Sequence, residues 1–287
     1  MIAFYDDEEK FISGGKSNGE LTEYIIDKFP ENAKFVRFSI VDYKTGQNLI
    51  TYYKKYADKQ EVKNSLTSKK MIATGDSITA TVSHRPYAGY AKLIALDNGM
   101  DYKTFAIWGA SIADNIPETS GCILRTLDKM PDDTDYVILS GGANDIYAVN
   151  AGREQMGTIS YAYDAQLDET TLCGALESMC KKALKKWHSK KILYVITHRI
   201  GVWSSQKEYE TEEKCVENII KILEKWGIPY VDLFHSVPCF TADVTMKNLY
   251  TTMGNTEYNG VGDGLHPNLQ GYRLFYVPRI QAKLLTL

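Results

Sequence analysis

The sequence predicts a three-layer α/β fold, a five-stranded parallel sheet with helices on both faces, preceded by a small antiparallel β segment. Three observations lead to this prediction. From Lys70 onward, apolar runs of strand length alternate with amphipathic helical stretches. Before about residue 66 the runs are short and alternating, and turn residues separate them. The composition, 44% hydrophobic and 24% charged residues in 287 positions, is that of a globular protein.

The predicted domain boundary lies near residue 66. Residues 1–66 are expected to form a small β-rich appendage, similar to part of a β-sandwich or jelly roll. Within it, apolar side chains recur at every second position of AKFVRFSIVD (33–42), which is typical of a strand with one buried face. Residues 67–287 are expected to form the α/β domain.

Five strands are predicted for the parallel sheet. They are KMIATG (70–75), YKTFAIWG (102–109), DYVILSGG (135–142), KILYVIT (191–197) and IPYVDLF (228–234). The clearest helices run from Thr170 to Lys186 and from about Glu208 to Trp226, because each carries one apolar stripe. Pro86 and Gly99 fit the start and end of an earlier helix.

Composition also excludes several classes of function. The formal net charge is −3 and no basic patch is present, so a nucleic-acid partner is not expected. No apolar stretch approaches membrane-spanning length, and the acidic N-terminus does not fit a signal peptide. We expect a soluble protein, either cytoplasmic or secreted. The five cysteines contain no C-x-x-C pair, so they are interpreted as packing residues, and neither a metal nor a cofactor is predicted.

Polar residues follow the ends of the predicted strands. Ser77 follows the first strand, Gly109 ends the second, and Asn144 follows the third. Asp263 and His266 come after the fifth strand and a long loop, in GDGLHPN. Because ligands bind beyond the carboxyl ends of the strands of an open parallel sheet, these residues are expected to converge on one site.

These residue types suit acyl transfer. A serine hydroxyl becomes nucleophilic when a histidine takes its proton, and an aspartate three residues before that histidine can fix its tautomer. The predicted roles are therefore nucleophile for Ser77, base for His266 and orienting carboxylate for Asp263. The oxyanion donors are predicted to be the N–H groups of Ser77 and Gly109 and the amide of Asn144.

The motifs resemble those of the GDSL, or SGNH, hydrolases over about residues 70–287. GDSIT resembles the nucleophile block of that family, WGASIAD its glycine block, GGAND its G-x-N-D block and DGLHPN its D-x-x-H block. The resemblance implies a flavodoxin-like strand order and a serine esterase that needs no metal. It also implies the roles just given for Ser77, Gly109, Asn144 and His266. The segment ENAKFVRFSI (31–40) is similar to β-sandwich segments that precede such hydrolases in secreted or phage-associated bacterial proteins, so the resemblance implies a bacterial source.

Other polar residues are candidates for substrate binding or for local support of the site. Asp76, His198 and Trp203 are the candidate substrate-binding residues, and Asp76 is also expected to fix the turn that carries the serine. Asp145 is expected to support its neighbour Asn144. His84, His188 and His235 have no partner in a recognised motif and are interpreted as surface or hydrogen-bonded residues.

The expected function is hydrolysis of a carboxylic ester on a small molecule or a glycan, most simply removal of O-acetyl groups from a carbohydrate. A lipid esterase, lysophospholipase or thioesterase remains open, because loops rather than the fold determine the substrate. From another class, an inactive hydrolase frame that binds a glycan also remains open.

Overall fold

The computed structural model describes residues 64–80, 89–201, 203–252 and 261–287, together with four strands within the first 54 residues. The chain divides into two compact units, Met1–Val62 and Lys63–Leu287. Pro86 and His84, which the sequence analysis singled out, lie outside the described residues.

The first unit contains a four-stranded antiparallel sheet. Its strands are β1 (Ile2–Tyr5), β2 (Phe11–Gly15), β3 (Phe35–Val41) and β4 (Asn48–Lys54), in the spatial order β2-β1-β3-β4. β3 coincides with the predicted strand in AKFVRFSIVD. The prediction of a small antiparallel β segment is confirmed.

The second unit is built on a five-stranded parallel sheet. Its strands are β5 (Lys70–Thr74), β6 (Asp101–Thr104), β7 (Tyr136–Ser140), β8 (Lys191–Ile196) and β9 (Tyr230–Asp232). Their order is β6-β5-β7-β8-β9, with every neighbouring pair parallel. This is the flavodoxin-like order, so the predicted fold class is confirmed. β7 is buried along its whole length, as a strand covered on both faces should be.

Helices and short elements connect these strands. The helices are α1 (Tyr90–Asn98), α2 (Ile123–Thr126), α3 (Ala143–Asn150), α4 (Leu172–Lys186), α5 (Gln206–Trp226), α6 (Leu233–Ser236), α7 (Val244–Tyr250), α8 (Leu269–Gly271) and α9 (Val277–Leu285). A π-helical turn, Tyr272–Tyr276, joins α8 to α9. α1 packs against α9, and α5 packs against α3 and α4. A two-residue antiparallel pair, β10 (Thr251–Thr252) with β11 (His266–Pro267), lies near the end of the chain.

The two long helices follow the predicted apolar stripes. α4 is capped by the Thr171 hydroxyl, which accepts from Gly174 N–H, and α5 by the Ser205 hydroxyl, which accepts from Glu208 N–H. Gly227 ends α5 in the left-handed region. The apolar stripe of α4 is fully buried, so this side of the helix packs in the hydrophobic core.

The second and fifth strands of the parallel sheet are about half as long as predicted. β6 ends at Thr104, although the apolar run continues to Gly109, and Phe105 and Ile107 still donate N–H bonds to Ala73 and Gly75 of the neighbouring segment. The chain therefore stays attached to β5 without continuing the ladder. β9 ends at Asp232 because the carboxylate of that residue caps α6. Within the described residues, no helix is long and apolar enough to cross a membrane.

Candidate active site

The serine lies in a tight turn directly after β5. Asp76 fixes this turn, since its carboxylate accepts from Ile78 N–H at 2.9 Å and its carbonyl accepts from Thr79 and Ala80. Gly75 is required for close packing, because a Cβ there would come within 2.5 Å of the Thr79 hydroxyl. The turn thus places Ser77 at the carboxyl end of the first strand of the parallel sheet.

Ser77, His266 and Asp263 form one hydrogen-bonded chain. The Ser77 Oγ lies 2.9 Å from His266 Nε2, and His266 Nδ1 lies 2.6 Å from Asp263 Oδ2. Because the Asp263 carboxylate only accepts, Nδ1 carries the ring proton and Nε2 is left to accept from the serine hydroxyl. This arrangement can transfer the serine proton to the imidazole.

The loop that carries Asp263 and His266 is anchored on the β10–β11 pair. His266 pairs with Thr252, and Asp263 N–H donates to the Thr252 carbonyl at 3.0 Å. Asp263 Oδ1 accepts from the N–H groups of Leu265 and His266, both at 2.8 Å. The carboxylate therefore organises its own turn and orients the imidazole with its second oxygen.

The environment keeps Asp263 ionised. Burial alone would raise the pKa of Asp263, but the hydrogen bond and charge interaction with His266, with the two backbone donors, outweigh burial and lower that pKa. An ionised Asp263 is the form that stabilises an imidazolium at His266.

Gly109 lies on the loop after β6 and has a positive φ of 69°. A Cβ at this position would approach the Ser120 hydroxyl to 2.8 Å, so glycine satisfies both the backbone conformation and the space. In the described part of the chain, the backbone N–H groups of Ser77 and Gly109 donate to no protein acceptor. Both are therefore available to bind an oxyanion.

Asn144 and Asp145 tie α3 to the glycine loop. The Asn144 amide donates one hydrogen bond to the Ala110 carbonyl at 2.8 Å, which leaves its second N–H for a ligand. The fully buried Asp145 accepts from the N–H groups of Ile112 and Ala113 at 2.9 to 3.0 Å. Asp145 is predicted to support its neighbour Asn144, and in the structure its carboxylate binds the loop that follows Gly109.

Sequence reasoning missed the contact of Trp108 with the imidazole. The Trp108 indole stacks on the His266 ring with centroids 5.1 Å apart and planes inclined by 16°. Such a stack restricts rotation of the imidazole. The only signal in the sequence is the position of Trp108 immediately before Gly109.

Two of the three candidate substrate-binding residues lie in the interior. Asp76 is fully buried and His198 is 1% exposed, so neither offers surface to a ligand. The His198 ring bonds the Tyr276 hydroxyl through Nδ1 and packs on Phe240, and burial lowers the pKa of His198 to about 3. Because polar residues after a strand can turn inward as well as outward, the sequence did not distinguish the two placements.

The third candidate substrate-binding residue, Trp203, is half-buried. It lines an open cavity of about 410 Å³ together with Ser204, Ser205, Gln206 and Tyr209. Its indole N–H donates to the buried Glu212 at 2.6 Å, and the Tyr209 ring meets it edge-on. Ser77 and His266 are not among the residues that line this cavity.

Several other groups do not join the site. His235, predicted to have no motif partner, bonds Asp232 through Nδ1 at 2.6 Å on the surface of the protein. The five cysteines are free, and burial raises the pKa of Cys122 and Cys173 to about 11, as suits packing residues. Among the described residues, no three potential metal ligands cluster together.

The order of these blocks along the chain matches a known family. The family model for the GDSL-like lipases and acylhydrolases matches residues 73–274, which is well over half of the chain. The chain belongs to this family. As a GDSL-like acylhydrolase it is a carboxylic-ester hydrolase.

Solved structures share the fold of this GDSL-like hydrolase. A structural-genomics protein from Lactobacillus plantarum is 21% identical, with a TM-score of 0.59, over 77% of this chain and 96% of that protein. A Bacteroides ovatus protein named as a GDSL-like lipase is 13% identical, with a TM-score of 0.52, over 77% of this chain and 100% of its own. At these identities the likeness concerns the fold. No curated protein sequence matches the chain significantly.

Proposed function

We propose that this hydrolase removes O-acetyl groups from a carbohydrate through an acyl-enzyme on Ser77. The observation that carries the choice of nucleophile and base is the 2.9 Å contact between Ser77 Oγ and His266 Nε2, within a chain of hydrogen bonds that ends on an ionised carboxylate. Proton transfer requires this distance in the reacting complex.

In the proposed first half-reaction, Ser77 Oγ attacks the ester carbonyl while its proton passes to His266 Nε2. The carbonyl oxygen becomes an anion, which accepts from the N–H groups of Ser77 and Gly109 and from the Asn144 amide. The imidazolium, stabilised by Asp263, gives its proton to the departing sugar oxygen, and the C–O bond breaks. An acyl-enzyme on Ser77 remains.

In the second half-reaction, water takes the place of the sugar. His266 accepts a proton from the water, whose oxygen attacks the acyl carbon. Collapse of the second tetrahedral anion breaks the bond to Ser77 Oγ and returns the proton to the serine. Acetate leaves, and the site is restored without an external cofactor.

A carbohydrate is favoured by the cavity at Trp203. The cavity combines aromatic side chains with the hydroxyl groups of Ser204 and Ser205 and the amide of Gln206. Aromatic faces suit the apolar faces of pyranose rings, and the short polar side chains suit sugar hydroxyls. Because it is open, the cavity can take part of a sugar chain.

The first test uses p-nitrophenyl acetate with the wild type and Ser77→Ala at neutral pH in the presence of a chelator. We expect turnover by the wild type and a fall to background in the variant. Asn144→Ala should lower kcat by about a hundredfold if the amide binds the oxyanion. Equal rates for the wild type and Ser77→Ala would remove the serine from the reaction.

The second test concerns the substrate. We expect chemically acetylated cellobiose to be hydrolysed more efficiently than long-chain p-nitrophenyl esters. Tyr209→Ala, which leaves the Trp203–Glu212 bond in place, should raise KM for the acetylated sugar by up to about tenfold and leave hydrolysis of p-nitrophenyl acetate unchanged. Faster hydrolysis of long-chain esters would favour a lipid esterase, and glycan binding without turnover an inactive binding module.

A further inference from the structure

A buried acidic residue, Glu154, lies next to Asp145 and has no place in the mechanism above. It follows α3, where its N–H donates to the Ala148 carbonyl at 3.3 Å. The residue is 4% exposed, and neither Oε1 nor Oε2 has a hydrogen-bond donor in the described part of the chain. An ionised carboxylate that is buried without a hydrogen-bond donor is strongly disfavoured. The Glu154 carboxyl group therefore needs either a bound proton or a partner.

The neighbour of Glu154 is another carboxyl group, that of Asp145. The two side chains are close enough to hydrogen-bond and to repel when both are charged. The other titratable groups that interact with the charge of Glu154 are the thiols of Cys173 and Cys215. In the part of the chain that the structure describes, no cation offsets the charge of Glu154.

The number of donors decides which carboxyl group holds the proton. Asp145 accepts from the backbone N–H groups of Ile112 and Ala113, which favours its ionised form, whereas no such donor reaches Glu154. Two adjacent buried carboxyl groups do not both ionise readily, so one proton stays on the pair. That proton belongs on Glu154, where it can be donated to Asp145.

We propose that Glu154 is a positioning residue whose protonated carboxyl group donates a hydrogen bond to Asp145 and thereby holds the oxyanion loop. Asp145 fixes Ile112 and Ala113, three and four residues after Gly109, and it directly follows Asn144. Glu154 therefore acts on both oxyanion elements without touching the substrate. Its effect on catalysis rests on the proposed function of Gly109 and Asn144.

The pKa values of the Asp145 and Glu154 carboxyl groups agree with the assignment of the proton to Glu154. Burial raises the pKa of Asp145 to about 6, and burial with the repulsion of Asp145 raises that of Glu154 to about 9. At neutral pH Asp145 is then ionised and Glu154 protonated. Above about pH 9 Glu154 ionises, and two adjacent negative charges lie behind the oxyanion loop.

The same pair predicts how stability depends on pH. An unfolded glutamate ionises near pH 4.3, so between roughly pH 4 and 9 the folded protein holds a proton that the unfolded chain has lost. The contribution of Glu154 to stability is therefore present at low pH and is lost as pH rises toward 9. Glu154→Gln has no such proton and its amide still donates to Asp145.

The experiment compares the wild type with Glu154→Gln and Glu154→Leu. We expect the Tm advantage of the wild type over Glu154→Gln to shrink steadily from pH 5 to pH 9. With p-nitrophenyl acetate, Glu154→Gln should retain most of kcat and extend activity above pH 9. Glu154→Leu, which cannot donate, should lose about tenfold in kcat with KM unchanged, since one hydrogen bond to a charged group is removed.

The outcomes separate this proposal from the proposed function. A Tm difference that does not change with pH, or full kcat in a folded Glu154→Leu, overturns the role of Glu154. Ser77→Ala should retain the wild-type pH dependence of Tm while it loses activity. If all variants and the wild type lack esterase activity but the Tm difference still depends on pH, the proton on Glu154 stands and the proposed function fails.

Discussion

Two D-x-x-H turns in this chain, Asp263–His266 and Asp232–His235, are built alike and placed differently. In each, the imidazole Nδ1 lies 2.6 Å from the aspartate Oδ2, and the histidine N–H donates to Oδ1 at 2.8 or 3.0 Å. The His266 side chain is 12% exposed, whereas that of His235 is 51% exposed. Only His266 also faces a serine and stacks on an indole.

The difference shows which part of an aspartate–histidine pair is determined by local sequence. An aspartate that accepts from backbone N–H groups two or three residues later forms this turn without outside help. Ser77, which contacts the imidazole of His266, lies 189 positions away from it along the chain. A D-x-x-H pattern therefore predicts a conformation, and the fold determines whether that conformation meets a nucleophile.

The largest expected effect is on the histidines. His266→Ala should lower kcat for p-nitrophenyl acetate by about 10⁴-fold or more, because serine and histidine act as one unit in this kind of site. His235→Ala is the matched control and should leave kcat and KM unchanged. A similar loss in the two variants would mean that the surface dyad, too, takes part in the reaction.

The aspartates give the next effect. Asp263→Asn should lower kcat by about 10⁴-fold at most, because an amide can hold the wrong imidazole tautomer while it preserves the shape of the turn. Asp232→Asn should leave kcat unchanged. Full activity of Asp263→Asn at neutral pH would show that the turn alone suffices to orient His266.

A smaller effect on kcat is expected for Trp108, whose indole stacks on the His266 imidazole. Trp108→Ala should lower kcat by roughly 3- to 10-fold, since the stack with His266 corresponds to about 0.5–1.5 kcal/mol. Trp108→Phe keeps an aromatic face and should recover most of that loss. If Trp108→Ala and Trp108→Phe lose the same activity, the indole acts through another contact than its stack on the imidazole.

The smallest effect concerns stability at the surface turn. Asp232→Ala removes the carboxylate that caps α6 and should lower the free energy of unfolding by about 1 kcal/mol, measured by urea denaturation. Asp232→Ser, which can still cap, should lose less. Equal stability of the wild type and Asp232→Ala would show that the cap on α6 does not stabilise the turn, and that other contacts of His235 hold it.

The sequence predicted the features of the fold that depend on local patterns. The five strands, their carboxyl-end polar residues and the apolar stripes of α4 and α5 follow from apolar runs and their periodicity. It overextended the second strand, because Phe105 to Gly109 are as apolar as a strand but bend away from the ladder while remaining bonded to β5. Hydrophobicity alone does not mark where a ladder ends.

Contacts between distant residues in the site were not predictable from one sequence. Trp108 and His266 lie on different loops, and no periodicity relates them. Glu154 looks like an ordinary surface acid in AGREQMG, and only its burial beside Asp145 sets it apart. The inward orientation of His198 was not predictable either, since tertiary packing rather than local sequence decides which way a loop residue faces.

The stack of Trp108 on His266 also gives the molecule an optical reporter of its own. Indole emission is sensitive to the charge of an aromatic neighbour, and the His266 ring lies nearly parallel to this indole with the ring centroids 5.1 Å apart. The chain holds four tryptophans, so the difference spectrum between the wild type and Trp108→Phe isolates the signal of this one. The protonation state of the base can thus be followed by fluorescence in the resting enzyme, before any ester is added.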